Sequence, residues 1–196
     1  MKSVSMVFGP LLILTACSGG VRESQVASAI DEEIKEKTCL TLENKRVPDW
    51  PLRLNRPLGY QFAEGDRGLD PILAAMQRAG HLAITRESSR WTGFAWTPIV
   101  DVIMPTEEAK TWWDVQDGFC VGTKGVAEIQ EWTEPGDAGG IQVIQVKYTW
   151  RLKDVPSWAK RPEFDSIPGM ATPIPGVTVL QKTNKGWKSA KAFAGS

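Results

Sequence analysis

From Ile144 onward, apolar and polar positions alternate without a break. Ile144, Val146, Tyr148, Trp150 and Leu152 fall on one parity, and Gln145, Lys147, Thr149, Arg151 and Lys153 on the other. Successive side chains of a strand point to opposite faces, so this pattern predicts a long antiparallel strand with one face buried. Val126 to Thr133 reads as its partner, and Glu134-Pro135-Gly136-Asp137-Ala138-Gly139-Gly140 carries the proline, aspartate and glycines that a reversal needs. Ser157-Trp158-Ala159-Lys160 reads as one helical turn that stops before Pro162. Val177 to Gln181 resumes the strand pattern, Asn184-Lys185-Gly186 turns it back, and Trp187 begins a last short strand. Four strands joined by short or moderate loops predict an antiparallel meander.

The first half of the chain predicts two helices. Val26, Ile30 and Ile34 recur every four residues, with Ser24 placed to cap the start and Glu32, Glu33, Lys35, Glu36 and Lys37 on the wet face. Such a charged helix with a narrow apolar stripe packs on a sheet; a partner-binding helix is the alternative. The second helix is better marked. Asp70 suits the N-cap, Pro71 the first helical position, Ile72, Leu73 and Met76 the buried stripe, and Gly80 the stop. Cys39 to Leu42, His81 to Arg86 and Ile99 to Met104 read as short strands. Pro48, Pro51 and Pro57 predict an extended loop between the first two. Thr106 can cap a short helix whose first turn carries Glu107 and Glu108. The expected fold class is therefore α+β: an antiparallel meander sheet in the C-terminal half with two N-terminal helices packed on it.

Ahead of the first helix, Lys2 precedes the apolar stretch Val7-Phe8-Gly9-Pro10-Leu11-Leu12-Ile13-Leu14. A basic start and a short apolar run make a secretory signal, and the run is too short for a membrane span of about 20 residues. Leu14-Thr15-Ala16-Cys17 follows. This order resembles the lipobox of bacterial lipoproteins, in which a small residue precedes an invariant cysteine. The resemblance implies cleavage before Cys17 and acylation of its sulfur and amine by palmitate-type chains, enough for stable anchoring. Residues 1–16 are then a signal peptide, 17–23 a lipidated tether and 24–196 a single globular domain. A plain signal peptide, or a buried N-terminal segment, is the alternative. From Ser18 to Glu23 the tether reaches at most about 20 Å, which keeps the domain near its membrane. Ser18 after the cysteine, by analogy with enteric sorting, implies the outer membrane and a periplasm-facing domain.

With Cys17 assigned to lipid, Cys39 and Cys120 remain, and two thiols in an oxidising compartment usually pair. Two buried free thiols are the alternative. A metal centre is not expected: His81 is the single histidine and no Cys-x-x-Cys occurs. His81 itself, directly after the helix stop, reads as a surface or helix-end histidine. Lys and Arg total 23, as do Asp and Glu, so no strong net field draws nucleic acid. A 42% hydrophobic content suffices for a core. No cofactor motif is present. No Gly-x-Ser-x-Gly occurs, and one histidine leaves little room for Ser-His chemistry. Scattered carboxylates leave a glycosidase-like pair open, but the expectation is a protein that is not an enzyme.

Nine tryptophans are the remaining signal. They serve a core, where each ring buries about 150–250 Å², or an aromatic binding face. Trp150 belongs to the core by its parity. Trp91, Trp96, Trp112 and Trp113 are the candidates for the face, and because neighbours on a strand point oppositely, one of Trp112 and Trp113 should reach solvent.

Tyr148-Thr149-Trp150-Arg151-Leu152, Pro156-Ser157-Trp158-Ala159 and Leu180-Gln181-Lys182-Thr183-Asn184-Lys185-Gly186-Trp187 together resemble a pattern shared by a group of uncharacterised proteobacterial envelope lipoproteins. The likeness extends upstream through Phe119-Cys120-Val121-Gly122 and Cys39-Leu40, covers about half the chain, and brings no known activity or catalytic residues. The resulting expectation is a lipid-anchored module that binds or builds in the envelope, with a membrane contact through its lipid and a protein partner. A cell-wall glycan (peptidoglycan) module and an inhibitor or immunity-type lipoprotein against a periplasmic hydrolase are the alternatives.

Overall fold

The alternating segment from Ile144 forms the spine of the larger of two sheets in the computed structural model of the chain, which describes residues 20–42, 49–55, 68–88, 91–94 and 98–193. In chain order the elements are α1 (Glu23–Ile34), β1 (Lys37–Cys39), β2 (Leu52–Asn55), α2 (Pro71–Arg78), β3 (Leu82–Glu87), β4 (Val100–Pro105), β5 (Trp113–Asp114), β6 (Gly118–Trp132), β7 (Gly136–Asp137), β8 (Gln142–Lys153), β9 (Ile174–Thr183) and β10 (Gly186–Ser189), with short 3₁₀ turns at Glu108–Thr111, Ser157–Ala159, Pro162–Phe164 and Ala190–Phe193. The larger sheet runs β1-β6-β8-β9-β10, with β5 also beside β6 and β7 beside β8; a second sheet runs β2-β4-β3. Every pairing between these strands is antiparallel. The fold is α+β, mostly antiparallel sheet with two helices.

The C-terminal strands follow the parity of the sequence closely. Ile144, Val146 and Tyr148 pair with Leu180, Thr178 and Gly176, and this row is buried. Trp150 continues it, half-buried, and packs against both apolar clusters of the molecule. Its ring is admitted by Gly169, where φ is +79° and a Cβ would lie 2.5 Å from the ring; any side chain there is excluded twice over.

The apolar stripe of helix α1 shares a cluster with residues of this sheet. Val26, Ala29 and Ile30 are buried against Ile129, Ile144, Val146, Leu180 and Trp187. Glu32, Glu33 and Glu36, expected to face water, reach lysines instead, Glu32 to Lys188 and Glu33 to Lys191 from the helix and Glu36 to Lys124 from just past its end; Asp31 of the helix likewise meets Lys153. Partly exposed pairs are worth at most about 1 kcal/mol each, whereas burying a Val or Ile side chain is worth about 1.5–3 kcal/mol. The apolar stripe therefore provides most of the docking energy, and the pairs set the helix register. Two carboxylates do more than pair. Asp31 accepts the Val126 N–H at 2.6 Å, and Glu33 accepts the Thr178 hydroxyl at 2.7 Å. Burial alone would raise the Glu33 pKa, but bonds from Lys191, Thr178 and Ser189 outweigh it and hold the carboxyl below its usual value. Ser24 does not cap α1; Arg22 stands at the N-cap and makes no side-chain capping bond.

Helix α2 is capped as expected: Asp70 Oδ1 accepts the N–H groups of Ile72 (2.8 Å) and Leu73 (3.3 Å). Its Leu73, Ala75 and Met76 join a second cluster that draws on both sheets, with Leu52, Leu82 and Ile103 from the smaller and Phe119, Val121 and Leu152 from the larger. Three features depart from the pattern reading. The proline-bounded stretch expected as loop contains β2, which pairs with β4 from Leu52↔Ile103 to Asn55↔Val100. Strand β6 begins at Gly118 rather than near Val126, because β1 and β5 pair with its glycine-laced start. The strands divide into two sheets, a choice that local alternation does not encode.

Cys39 and Cys120 stand opposite each other on β1 and β6 and are joined by a disulfide. The bridge ties the N-terminal strand to the sheet's central ribbon. Among the described residues, no helix is long and apolar enough to cross a membrane.

Candidate functional site, an exposed tryptophan seated on a buried histidine

The turn that ends α2 is clamped to the turn that ends β4. The His81 N–H donates to the Met76 carbonyl at 2.9 Å, and the His81 carbonyl accepts from the Thr106 N–H at 3.0 Å. Thr106 Oγ1 donates to the Gly80 carbonyl at 2.6 Å and accepts from the Ala109 N–H at 3.3 Å, so it caps the short turn Glu108–Thr111. That turn delivers Trp112, whose N–H donates to Ala109 at 2.8 Å. Beyond it, Asp114 Oδ1 accepts the N–H groups of Gln116 (2.7 Å) and Asp117 (2.9 Å), a side-chain turn that folds β5 back onto β6.

Adjacent tryptophans consequently diverge. Trp113, paired with Phe119, turns inward, packs on the core and meets Trp50 edge-on at 6.5 Å. Trp112 reaches solvent at 42% exposure and meets the His81 ring edge-on at 6.5 Å. Of the candidate tryptophans, Trp112 and Trp91, the latter 52% exposed, reach solvent, while Trp113 packs on the core. Trp96 and Cys17 lie outside the described residues. Phe94, at 96% exposure, joins the aromatic side chains that the 91–112 stretch presents to water.

His81 is not a surface residue. It is 6% exposed, held between Trp112 on one side and Trp158 at 5.4 Å on the other. Trp158 is itself buried, edge-on to Phe119 (6.3 Å) and Phe164 (5.5 Å). Burial pushes the His81 pKa down; the charge of Glu108 opposes this and that of Arg161 reinforces it. His81 Nδ1 and the indole nitrogens of Trp113 and Trp158 have no hydrogen-bond partner among the described residues. The imidazole, its pKa held below the usual value and its Nδ1 without a partner among the described residues, lies edge-on to the rings of both Trp112 and Trp158. Among the described residues, no group of three or more His, Cys, Asp or Glu side chains is arranged to hold a metal ion.

Sequence reasoning missed the role of His81. The rings that bury it come from Trp112 and Trp158, 31 and 77 positions later, and no local pattern links such distant segments. No family model, curated protein or solved structure matches the chain.

Proposed function

We propose that this chain is a lipid-anchored protein of the bacterial envelope that works by binding rather than catalysis, with Trp112 as the anchor of its recognition face and a protein as its partner. The observation that carries the reading is the seating of Trp112: a large ring, 42% exposed, on a buried imidazole that is itself backed by Trp158. An indole ordered before it meets a partner loses little freedom on binding, and tryptophan is enriched among residues that dominate interfaces. The sequence Leu14-Thr15-Ala16-Cys17 supports the anchor. The Cys39–Cys120 bridge supports an oxidising compartment such as the periplasm. In this reading the C-terminal meander, with the N-terminal helices packed on it, is the rigid scaffold, and the outer membrane is the site of attachment.

The test places a photo-crosslinking residue at position 112 in living cells, with a second at Ile141, an exposed apolar position in a different part of the chain. A discrete protein adduct from position 112 and none from 141 is expected. Sedimentation with insoluble peptidoglycan runs in parallel. If position 112 gives no adduct while Trp112→Ala abolishes sedimentation, the face reads glycan. If neither signal depends on Trp112, the Trp112 face is not a recognition site.

A further inference from the structure

Among the described residues, many lysines are committed to carboxylates. Lys37, Lys110, Lys124, Lys147, Lys188 and Lys191 each pair with an Asp or Glu. One pocket departs from that rule. It encloses about 560 Å³ and lies between the end of β8 and the turns at 157–165. Arg151 and Lys153 line it from the strand, Lys160 and Arg161 from the turns, and Asp154 and Asp165 are the acids that share it. Four cations line it against two carboxylates, with Asp31 offsetting Lys153 from outside, so the pocket stays net positive on a chain whose 23 basic and 23 acidic residues cancel overall. No ion pair or hydrogen bond among the described residues engages the side chains of Arg151 or Lys160. Lys153 has a long contact, 3.4 Å to Asp31.

The pocket is shaped as well as charged. Val155, Ala159, Pro162 and Met170 give it an apolar side. The Lys153 stem lies across Gly125, where a Cβ would come within 2.6 Å of its methylenes, so the missing side chain makes the bed for this lysine. Asp154 turns the chain at the mouth with φ of 54°, a left-handed conformation that Asp tolerates better than most residues. Like charges gathered around one cavity repel one another until a counter-charge enters. Arginine forks match phosphate oxygens two at a time, while lysines act as point charges. Arg151, Lys160 and Arg161, together with Lys153, offer more N–H donors than a single carboxylate can use, and the terminal oxygens of a phosphate can use them.

We propose that this pocket binds a phosphate monoester, its phosphate held by Arg151, Lys153, Lys160 and Arg161 and its organic part laid on Val155, Pro162 and Met170. The volume falls in the range of about 300–1,000 Å³ usual for small-molecule sites and exceeds the need of a bare phosphate. The same group can arrive on a soluble metabolite or on a lipid headgroup. Trp112 does not line this pocket, so the proposal does not rest on the Trp112 face.

The probes are glycerol 3-phosphate, inorganic phosphate and acetate, added to the full-length protein in a neutral detergent at matched ionic strength. Glycerol 3-phosphate should bind tightest, inorganic phosphate more weakly and acetate least. The double variant Arg151→Gln/Lys160→Gln should weaken glycerol 3-phosphate by about tenfold or more, the usual consequence of losing a charged hydrogen bond. Lys185→Gln, at the β9–β10 turn, should leave affinity unchanged, and melting curves of all variants check that each is folded. His81 provides a second readout as the single histidine of the chain. The charge of Arg161 acts on it, so neutralising Arg161 with bound phosphate should move the His81 imidazole titration to higher pH, followed by its ring resonances. Vesicles of phosphatidic acid distinguish the sources. If they bind and glycerol 3-phosphate competes them off, the ligand is a headgroup; if glycerol 3-phosphate binds and vesicles do not compete, it is soluble. Equal affinity in the folded double variant, or no preference for glycerol 3-phosphate over acetate, overturns the proposal.

Discussion

Replacing Trp158 by alanine tests the central packing claim. Trp158 is 5% exposed and meets three rings edge-on, His81, Phe119 and Phe164, at 5.4, 6.3 and 5.5 Å. Truncating a buried Trp costs about 3–5 kcal/mol through lost transfer energy and the cavity left behind. Edge-to-face contacts are worth about 0.5–1.5 kcal/mol each beyond buried area, which places this site in the upper part of that range, about 4–5 kcal/mol. A protein of this size loses about 2–4 °C in Tm per kcal/mol, so the melting midpoint should fall by about 8–20 °C. Two companion variants make the number diagnostic. Trp158→Phe keeps a ring in the slot and removes an indole N–H that has no partner among the described residues, so it should cost about 1–2 kcal/mol. Trp112→Ala removes an exposed ring whose ring contact is with His81 and should cost about 1 kcal/mol or less. Calorimetric or circular-dichroism melts in one buffer rank the three. Equal destabilisation by Trp112→Ala and Trp158→Ala would overturn this ranking, because the Trp112 ring would then be core as well.

Three further outcomes are expected. Removing the bridge with Cys39→Ser/Cys120→Ser releases a loop of 81 positions and should cost about 4.5 kcal/mol in the chain-entropy model; urea titrations with an unchanged midpoint would show that the bridge does not constrain the unfolded chain. Glu33 titrates below its usual value of 4.5 in the folded state, so the unfolded chain takes up its proton first; the stabilisation is complete above that value and lost as pH falls through the folded one. Glu33→Gln should therefore flatten the acid limb of the stability curve, and superimposable limbs would remove this carboxylate from the account of α1 docking. Cys17→Ser should release the protein from washed membranes into the soluble fraction, and a variant that stays as firmly bound as wild type places the anchor elsewhere.

What the sequence determined by itself is local and periodic. The alternation of Ile144, Val146, Tyr148 and Leu152 became the buried row of β8, because a strand has no other way to arrange such a pattern on one wet and one dry face. Asp70-Pro71 opened a helix because its capping chemistry acts within three residues. The pairing of Cys39 with Cys120 was legible from the number of thiols. Tertiary structure decided the rest. The acids of α1 and of the residues just after it look solvated in the sequence, and became partners of Lys124, Lys153, Lys188 and Lys191 only in the folded chain. β2 hides among prolines because its partner β4 begins about 45 positions later. Trp112 and Trp113 could be assigned opposite sides from sequence, but which one faced solvent depended on β5 folding back against Phe119. His81 reads as a helix-end residue until Trp112 and Trp158 close over it. In each case the deciding contact joins segments far apart in the chain, and periodicity, which compares a residue with neighbours a few positions away, carries no information about which distant surface will arrive.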